Sequence, residues 1–482
     1  MNSDLMEKIV ALAKRRGFIY PGSDIYGGVA NTYDYGPVGA ELLRNIRELW
    51  WKEFVQKRED MLGLDASLIS HQKVWQASGH VSGFADAQVD CKNCKHRMRA
   101  DHLIEDYLEV LDDKELLKIT KSLKSSEKIK KAVGNKKVEG LGLDELGEII
   151  TSLKIHCPKC GKSNWTKVRK FNLLFPVHLG IVEGDQDIAY LRGETAQGMF
   201  INFKNVLNST RVKLPFGIAQ LGKSFRNEIT LGNSVFRTLE FELAEIEYFF
   251  NPKQNKWEDL FNNWKKDMEE FVIKKLLINK KNLRWRTHTD EERSFYSKKT
   301  EDLDYRFPFG FKELWGLAYR TDYDLKKHHE YSGKDLTVTD PETGKSFIPH
   351  VIEPAVGINR FFLMILCDSY AEEEDRVILK IDPKLAPYKV AVFPLLANKP
   401  ELVKLARKVF KDLKADYMVY WDDRGNIGKR YFAQDEIGTP FCITVDFQSL
   451  EDKAVTLRDR DTMKQERVKI NDLTSCIQKK LL

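Results

Sequence analysis

No apolar run in this 482-residue chain approaches the roughly 18–20 residues that a membrane-spanning helix needs. The first residues, MNSDLMEKIVALAKRRGFIY, carry charges throughout and read as an amphipathic helix, not as a secretory signal. Cysteine is scarce. Of seven, four fall in two C-x-x-C pairs, which argues against a disulfide-stapled scaffold and for metal binding in a reducing compartment, the cytoplasm by default. A strong charge excess is missing too: 78 basic and 72 acidic side chains leave +6, a balance that admits a nucleic-acid partner without demanding one. No internal repeat is found. What remains, 42% hydrophobic and 31% charged residues, is the composition of a soluble globular protein, long enough for two to four domains with cores of their own.

The densest chemistry lies between Gly217 and Phe250, GIAQLGKSFRNEITLGNSVFRTLEFELAEIEYFF. It predicts a β-hairpin: a first strand through Lys223–Ile229, a turn at Gly232 and Asn233, and a second strand from about Phe236 to Phe250. Alternation places Ser224, Arg226 and Glu228 on one face, and Phe241, Leu243, Glu245 and Glu247 on one face of the second strand. An arginine and several carboxylates beside an aromatic ring are costly to bury without a ligand. An anionic aromatic ligand with a cationic companion, such as a nucleotide plus an amino acid, fits them. Gly217–Ser224 also matches the phosphate-loop pattern G-x-x-x-x-G-K-S. That loop needs a helix opening at its lysine, whereas this stretch alternates like a strand, so the match is read as a decoy.

Around the hairpin the chain reads as follows. A glycine- and tyrosine-rich loop ends at Gly36-Pro37 and leads into a long helix with Leu42, Leu43, Ile46, Leu49, Trp50 and Phe54 at helical spacing. The stripe fits a core face, and the adjacent Trp50 and Trp51 fit a dimer seam. Cys91-x-x-Cys94 and Cys157-x-x-Cys160 flank a lysine- and glutamate-rich helical insert containing a flexible GNKKVEG. Four thiolates closing one tetrahedral shell read as structural zinc, with His96 and His156 as alternative ligands. FNLLFPVHLGIV predicts one extended apolar strand, and Glu194 sits where it could cap a helix starting near Thr195 or Ala196. Residues 251–305 open as a charged helix. Glu313, Arg320, Asp322 and Asp324 fall on a strand or turn beside apolar partners, while His328 and His329 read as solvated helix residues. A strand ending at Glu353-Pro354, a tight turn at Gly357 and Arg360 in the first turn of an apolar helix suit an anion at a helix N-terminus. After a proline-containing linker, strands and helices alternate to the end, predicting a separate α/β domain.

Phe225-Arg226-Asn227-Glu228 followed by FRTLEFE resembles motif 2 of the class II aminoacyl-tRNA synthetases; GINRFF resembles their motif 3 and the Pro37 helix their motif 1. YDYGPVGAEL, RADHLIE, GETAQG, GKSFRNEIT, EFELAEIEYF, ELWGLAYRTDYDLKKH, VIEPAVGINR and QDEIGTPF, in that order, are together similar to homodimeric glycyl-tRNA synthetases. The resemblance implies an α+β catalytic domain over 1–380, its mainly antiparallel sheet flanked by helices and interrupted by a zinc-binding insertion at 85–170. It also implies an anticodon-binding α/β domain with a mixed sheet at 385–482. The implied substrates are glycine, ATP with Mg2+ and tRNA(Gly), used by a homodimer that touches no membrane. By the family pattern Arg226 and Arg360 are catalytic, gripping the α- and γ-phosphates. Asn227, Glu228, Phe236, Arg237, Phe241, Glu313, Leu314 and Gly357 complete the ATP site, with Glu228 on the adenine amino group, Phe241 stacked on the ring and Glu313 beside Mg2+. Arg99, Glu194, Glu245, Glu353 and Ala355 form the glycine site, and Cys91, Cys94, Cys157 and Cys160 hold zinc. Tyr431, Phe432 and Arg430 are candidates for reading anticodon bases. Gly193, Leu239 and Ala355 stand where the family usually has proline, arginine and serine. An alternative is a catalytically silent paralogue that binds tRNA or another RNA; its mark, a lost motif arginine, is absent, since Arg226 and Arg360 are both present.

Overall fold

The computed structural model describes residues 3–123, 125–138, 140–180, 187–228, 232–290, 292–294 and 296–481. Its centre is a seven-stranded sheet built from β1 (Met61–Gly63), β2 (Phe216–Phe225), β3 (Glu240–Phe250), β4 (Leu283–Thr287), β5 (Lys299–Phe307), β6 (Gly310–Thr321) and β7 (His350–Gly357), in the order β4-β5-β6-β7-β3-β2-β1. Every neighbouring pair is antiparallel except β2 with β1. One face packs on α1 (Ser3–Arg15), α2 (Pro37–Trp51), α4 (Trp257–Glu270) and α6 (Ile358–Ser369), sharing a core that includes Trp50, Phe54, Trp264, Trp315 and Phe361. Against the other lie α3 (Ala196–Thr210) and α5 (Tyr323–Ser332), around Phe200, Phe203, Phe249 and Leu325.

The hairpin pairs in register from Phe216 opposite Phe249 to Phe225 opposite Glu240. Gly217–Ser224 is therefore wholly strand, and the phosphate-loop pattern has none of the geometry it needs. The first strand ends sooner than expected and the second begins later. The first ends at Phe225 because the next amides leave the ladder, Arg226 N donating to Leu239 O and Asn227 N to Leu173 O; strand alternation does not govern Arg226 or Glu228, and Ile229 lies outside the described residues. The second starts at Glu240, since Asn233 and Ser234 take the left-handed conformation and Ser234–Phe236 coil into a 3-10 turn. β7 also departs from expectation, running through Glu353-Pro354 to Gly357. Gly357 has an extended backbone with φ −76° and makes no tight turn.

In α2 the tryptophans part company: Trp50 is fully buried with Leu42, Leu43, Ile46 and Phe54, while Trp51 turns outward and is 37% exposed. The predicted single strand FNLLFPVHLGIV is two, Arg169–Asn172 and Phe175–Leu179, in different small sheets, with buried Leu173 and Leu174 at the switch; Ile181 and Val182 lie outside the described residues. The insert folds as helices Ala100–Glu109, Asp113–Ser122, Glu127–Gly134 and Leu143–Ser152 around Ile104, Leu108, Ile129, Val133 and Ile149. Its GNKKVEG stretch is tied down, not flexible, in its described residues: Val138 is buried with its amide on Glu105 Oε1, and Lys136 Nζ donates to Leu111 O.

The C-terminal sheet has five strands in the order Val419–Trp421, Val390–Pro394, Phe441–Val445, Ala454–Asp459, Gln465–Lys469, the first three parallel and the rest antiparallel. It is tied to the catalytic unit by Arg15 and Arg16 on Glu436 and by Arg376 on Asp435. Arg430 is not available to a nucleic acid: it is buried and donates to the carbonyls of Pro394, Asp423, Arg424 and Gly425, holding the loop before its helix. Tyr431 is half-buried with its hydroxyl on Thr444 Oγ1, and Phe432 is exposed.

Candidate active site

The sheet face covered by α3 and α5 carries a buried cluster of carboxylates. Glu245 and Glu247 project from β3, Glu353 from β7, Asp324 from α5, and Glu194 from the turn before α3; all five are buried. Arg320 on β6 is the guanidinium at their centre, donating to Asp324 through Nε and Nη2 (2.7 and 2.8 Å) and to Glu353 Oε1 through Nη1 (2.7 Å). Its plane also lies over Tyr296, 3.9 Å from the ring centroid. Glu194 does not cap α3. It accepts from Gln197 Nε2 (2.9 Å) and pairs with His80 Nε2 (3.2 Å). The cap comes from across the sheet: Glu245 Oε2 accepts from the amides of Thr195 (2.7 Å) and Ala196 (3.0 Å) and from Thr195 Oγ1. A strand carboxylate at a helix N-terminus satisfies amides that have no partner within the helix.

Burial acts on these groups unequally. It opposes the charge on Glu194, but His80, Arg320 and Gln197 outweigh it and hold that carboxyl well below the ordinary range. Burial and then the neighbouring Glu194 push Glu245 up. Burial takes Glu353 up to about 7 despite Arg320. His328, expected to be solvated, is buried on α5 with Nε2 at 2.8 Å from Gln197 Oε1; burial lowers it to about 4, so the neutral ring donates to the amide oxygen. The helical period explains the miss, since Asp324 and His328 share one buried stripe. His80 and Gln197 were not anticipated either. Each is one polar residue in a short local pattern, and only the fold brings it to Glu194.

Beyond the carboxylates the site turns cationic and opens to solvent. Arg226 is anchored by Nε on Gly193 O (2.9 Å), and its guanidinium lies 5.1 Å from the Phe84 ring and 5.3 Å from that of Phe241. Arg360 donates through Nη1 to Glu313 O and Oε1, both at 2.9 Å, and lies 4.7 Å from the Phe236 ring. Arg237 pairs loosely with Glu228 at 3.7 Å. Leu314 is fully buried, and its side chain belongs to the core beneath the sheet. Asp302 on β5, not anticipated, lies beside Glu313: its Oδ1 and Glu313 Oε1 both border Gly316, and its Oδ2 is held by His288 Nε2 (2.7 Å) and Arg286 Nη2 (2.6 Å). Arg99, grouped with the glycine residues by resemblance, is paired with Asp86 (3.1 Å) and Asp101 (2.5 Å), and the field of Glu228 acts on it. Ala355 lies on β7 opposite Glu245 and Gly316.

A hollow of about 980 Å3 continues outward from Asn227, Glu228 and Arg237 to Lys95 and His96 of the first cysteine knuckle and Lys159 of the second. Behind those loops the four thiols converge, all within 4.8 Å of one another, with Cys91–Cys160 and Cys94–Cys157 at 3.6 Å. Tetrahedral zinc with bonds near 2.3 Å sets sulfurs about 3.8 Å apart, so the arrangement fits that ion. His96 and His156 are not in the cluster.

Three family models match successive stretches: the glycyl-tRNA synthetase insertion domain 1 over residues 86–173, the tRNA synthetase class II core domain (G, H, P, S and T) over 181–369, and an anticodon binding domain over 389–480. Glycine–tRNA ligase from Caldanaerobacter subterraneus subsp. tengcongensis is 48% identical, covering 99% of this chain and 98% of the relative. The Clostridium perfringens enzyme of that name is 49% identical with the same coverage, and the Bacillus anthracis one is 47% identical over 99% of both. Among solved structures, prolyl-tRNA synthetase from Cryptosporidium parvum, complexed with L-proline and AMP, superposes with a TM-score of 0.62 at 13% identity, covering 99% of this chain and 78% of that one. This last likeness is one of fold.

Proposed function

The chain belongs to the glycine–tRNA ligases, built on the class II synthetase core, and on that premise we propose which of its residues serve each substrate. The reaction joins glycine to tRNA at the expense of ATP: the carboxylate of glycine attacks the α-phosphate, pyrophosphate leaves, and the glycyl group passes to the tRNA 3′ end. Alignment and neutralisation of phosphate charge carry such a reaction, without a protein nucleophile. One observation supports the division of labour: beside the buried carboxylates of β3 and β7 lie two arginines, Arg226 just past the end of β2 and Arg360 in the first turn of α6.

The glycine ammonium enters the carboxylate face, bordered by Glu194, Glu245 and Glu353, whose charge Arg320 only partly balances. Arg226 then meets the α-phosphate and Arg360 the γ-phosphate, as planar bidentate donors. Each is held by a carbonyl, Gly193 O or Glu313 O, so little reorganisation is needed. The adenine takes the place of the Arg226–Phe241 contact, with Phe241 stacked on it and Glu228 accepting from its amino group. Asn227, Phe236, Arg237, Leu314 and Gly357 frame the nucleotide. Glu313, with Asp302 beside it, holds Mg2+, which would neutralise phosphate charge. Arg99, held by Asp86 and Asp101, lies on the substrate side of the glycine site. Cys91, Cys94, Cys157 and Cys160 hold a structural zinc that keeps Lys95 and His96 at the rim where the tRNA 3′ end approaches, and the C-terminal domain reads the anticodon.

The working form is a cytoplasmic homodimer. Trp51, outward on α2, walls a hollow of about 900 Å3 with Arg47, Lys52, Leu64 and Leu221, and this face meets the second copy. Glycine-dependent ATP–pyrophosphate exchange tests the assignment. Arg226→Ala is expected to lose at least about 2 kcal/mol of transition-state stabilisation, as when a preorganised donor is removed. A near-wild-type rate sinks the role given to Arg226. Failure of the wild type to exchange at all leaves the silent paralogue.

A further inference from the structure

One carboxylate of the buried face has no part in the scheme above. Glu247 is fully buried on β3, and neither of its oxygens has a hydrogen-bond partner among the described residues. The others are held: Glu194 by His80 and Gln197, Glu245 by Thr195 and Ala196, Glu353 and Asp324 by Arg320. Strand register fixes what Glu247 faces. Glu245 stands opposite Ala355 and Tyr248 opposite Ile352, which sets Glu247 opposite Glu353. The ladder lapses there because Pro354 has no N–H to give. Facing residues on antiparallel strands have Cβ atoms about 4.5–5.5 Å apart, close enough for their carboxyl groups to share a proton.

The surroundings decide which group carries it. Two carboxylates this close do not both ionise in a buried site. Arg320 on β6 is bonded to Glu353 and to Asp324 on α5, Glu245 and Glu194 add negative charge, and on the far side β2 offers Ile218. Glu353 thus has the cation and Glu247 has none. Burial and then Glu353 push Glu247 well above the ordinary carboxylate range, and burial takes Glu353 up to about 7 against the pull of Arg320. We propose that Glu247 is a positioning residue of the amino-group pocket, a neutral carboxylic acid that donates its proton to Glu353 and so keeps Glu353 ionised toward the ammonium of the amino-acid substrate. The proposal rests on the reading of this pocket as the glycine site.

The test is the pH dependence of KM for glycine in pyrophosphate exchange. In the wild type KM rises as pH falls below about 7, where Glu353 takes a proton. Glutamine is an uncharged isostere of the acid and keeps an N–H to donate, so Glu247→Gln holds this acid limb at the wild-type position. Glu247→Leu removes the donor and moves the limb up by about one unit, raising KM roughly fivefold at pH 7 and approaching tenfold below pH 6. The proposal is overturned if Glu247→Gln moves the limb down by a unit, since Glu247 was then charged, or if Glu247→Leu leaves it in place. Glu353→Gln separates the two claims: it should abolish the limb, and a limb that survives it overturns the glycine pocket itself. Melting temperature is a second readout, should the leucine variant not fold. A carboxyl raised in the native state binds a proton that the unfolded chain has lost above about 4.5, so the wild type loses stability relative to Glu247→Gln as pH rises from 4.5 to 8. A difference that stays constant across that range also overturns the proposal.

Discussion

Two buried charge clusters differ in how completely they are matched. In the C-terminal domain, fully buried Asp435 accepts from Arg458 through both oxygens (2.8 and 3.0 Å) and from Arg376 Nη1 (2.8 Å). Arg376 also donates to Arg460 O, and Arg460 donates to the carbonyls of Ile381 and Gly438. Each oxygen of Asp435 has a donor, and no opening is left for a ligand. On the catalytic sheet five buried carboxylates surround Arg320, and among the described residues no donor reaches Glu247. Ions are costly to take out of water wherever they lie. A cluster that is matched internally fastens the segment carrying Arg376 to the C-terminal sheet. One left short of positive charge is matched only when a cation arrives, and in the proposed scheme that cation is the ammonium of the amino acid.

Removing the anion of the matched cluster breaks the contrast most severely. Asp435→Ala leaves the buried Arg458 guanidinium without its carboxylate and Arg376 with Glu373 alone, and is expected to cost about 3–5 kcal/mol of stability by urea unfolding. KM for glycine in the surviving folded fraction should not move. A loss under about 1 kcal/mol would mean that the C-terminal cluster does not hold the domain.

The unmatched cluster should behave the opposite way. Glu245→Gln keeps an oxygen for the Thr195 and Ala196 amides while removing one negative charge. Because burial and then Glu194 raise the folded-state carboxyl of Glu245, the wild type loses stability as pH climbs above the ordinary glutamate range, and the glutamine variant is spared that loss. Its melting temperature at pH 8 should equal or exceed that of the wild type. Its kcat/KM for glycine should fall by about 1.5–3 kcal/mol, the worth of a hydrogen bond to a charged group. A variant that is both less stable and fully active contradicts the assignment.

The sequence disclosed the site better than the geometry around it. Arg226, Glu245, Glu353 and Arg360 stand in stretches where polar residues interrupt apolar ones at strand or helix spacing, and such interruptions can be read one segment at a time. The helical insert and the C-terminal alternation of strands and helices were legible for the same reason. Other features depend on what the chain meets elsewhere. His328 looks solvated beside His329 until α3 covers it, and Arg430 looks like a nucleic-acid contact until four carbonyls are found around it. The first hairpin strand ends at Phe225 because Leu239 O and Leu173 O capture the next amides, and nothing in RNEI announces that. Glu247 was visible only as one more glutamate on a strand face, since its isolation depends on a register and on a proline in another strand.

The smallest expected effect concerns the substrate's α-carbon. The resemblance read from the sequence implies a serine at the position of Ala355, and a missing hydroxyl there would leave more room beside the methylene of a bound glycine. Ala355 is nevertheless flanked in the sheet by Glu245 and Gly316, with its own carbonyl 3.8 Å from where a Cβ on Gly316 would lie. The space a substrate methyl would take is bounded by backbone and held carboxylates, which cannot retreat without breaking the α3 cap or the Arg320 pair. Exclusion of alanine should therefore survive, and Ala355→Ser should change the ratio of glycine to alanine exchange rates by less than about 1 kcal/mol, under the 1–3 kcal/mol that a methylene is worth in a fitted pocket. Alanine activated nearly as well as glycine by the natural chain would show that the unmatched cluster recognises the ammonium alone, with the walls contributing nothing to size.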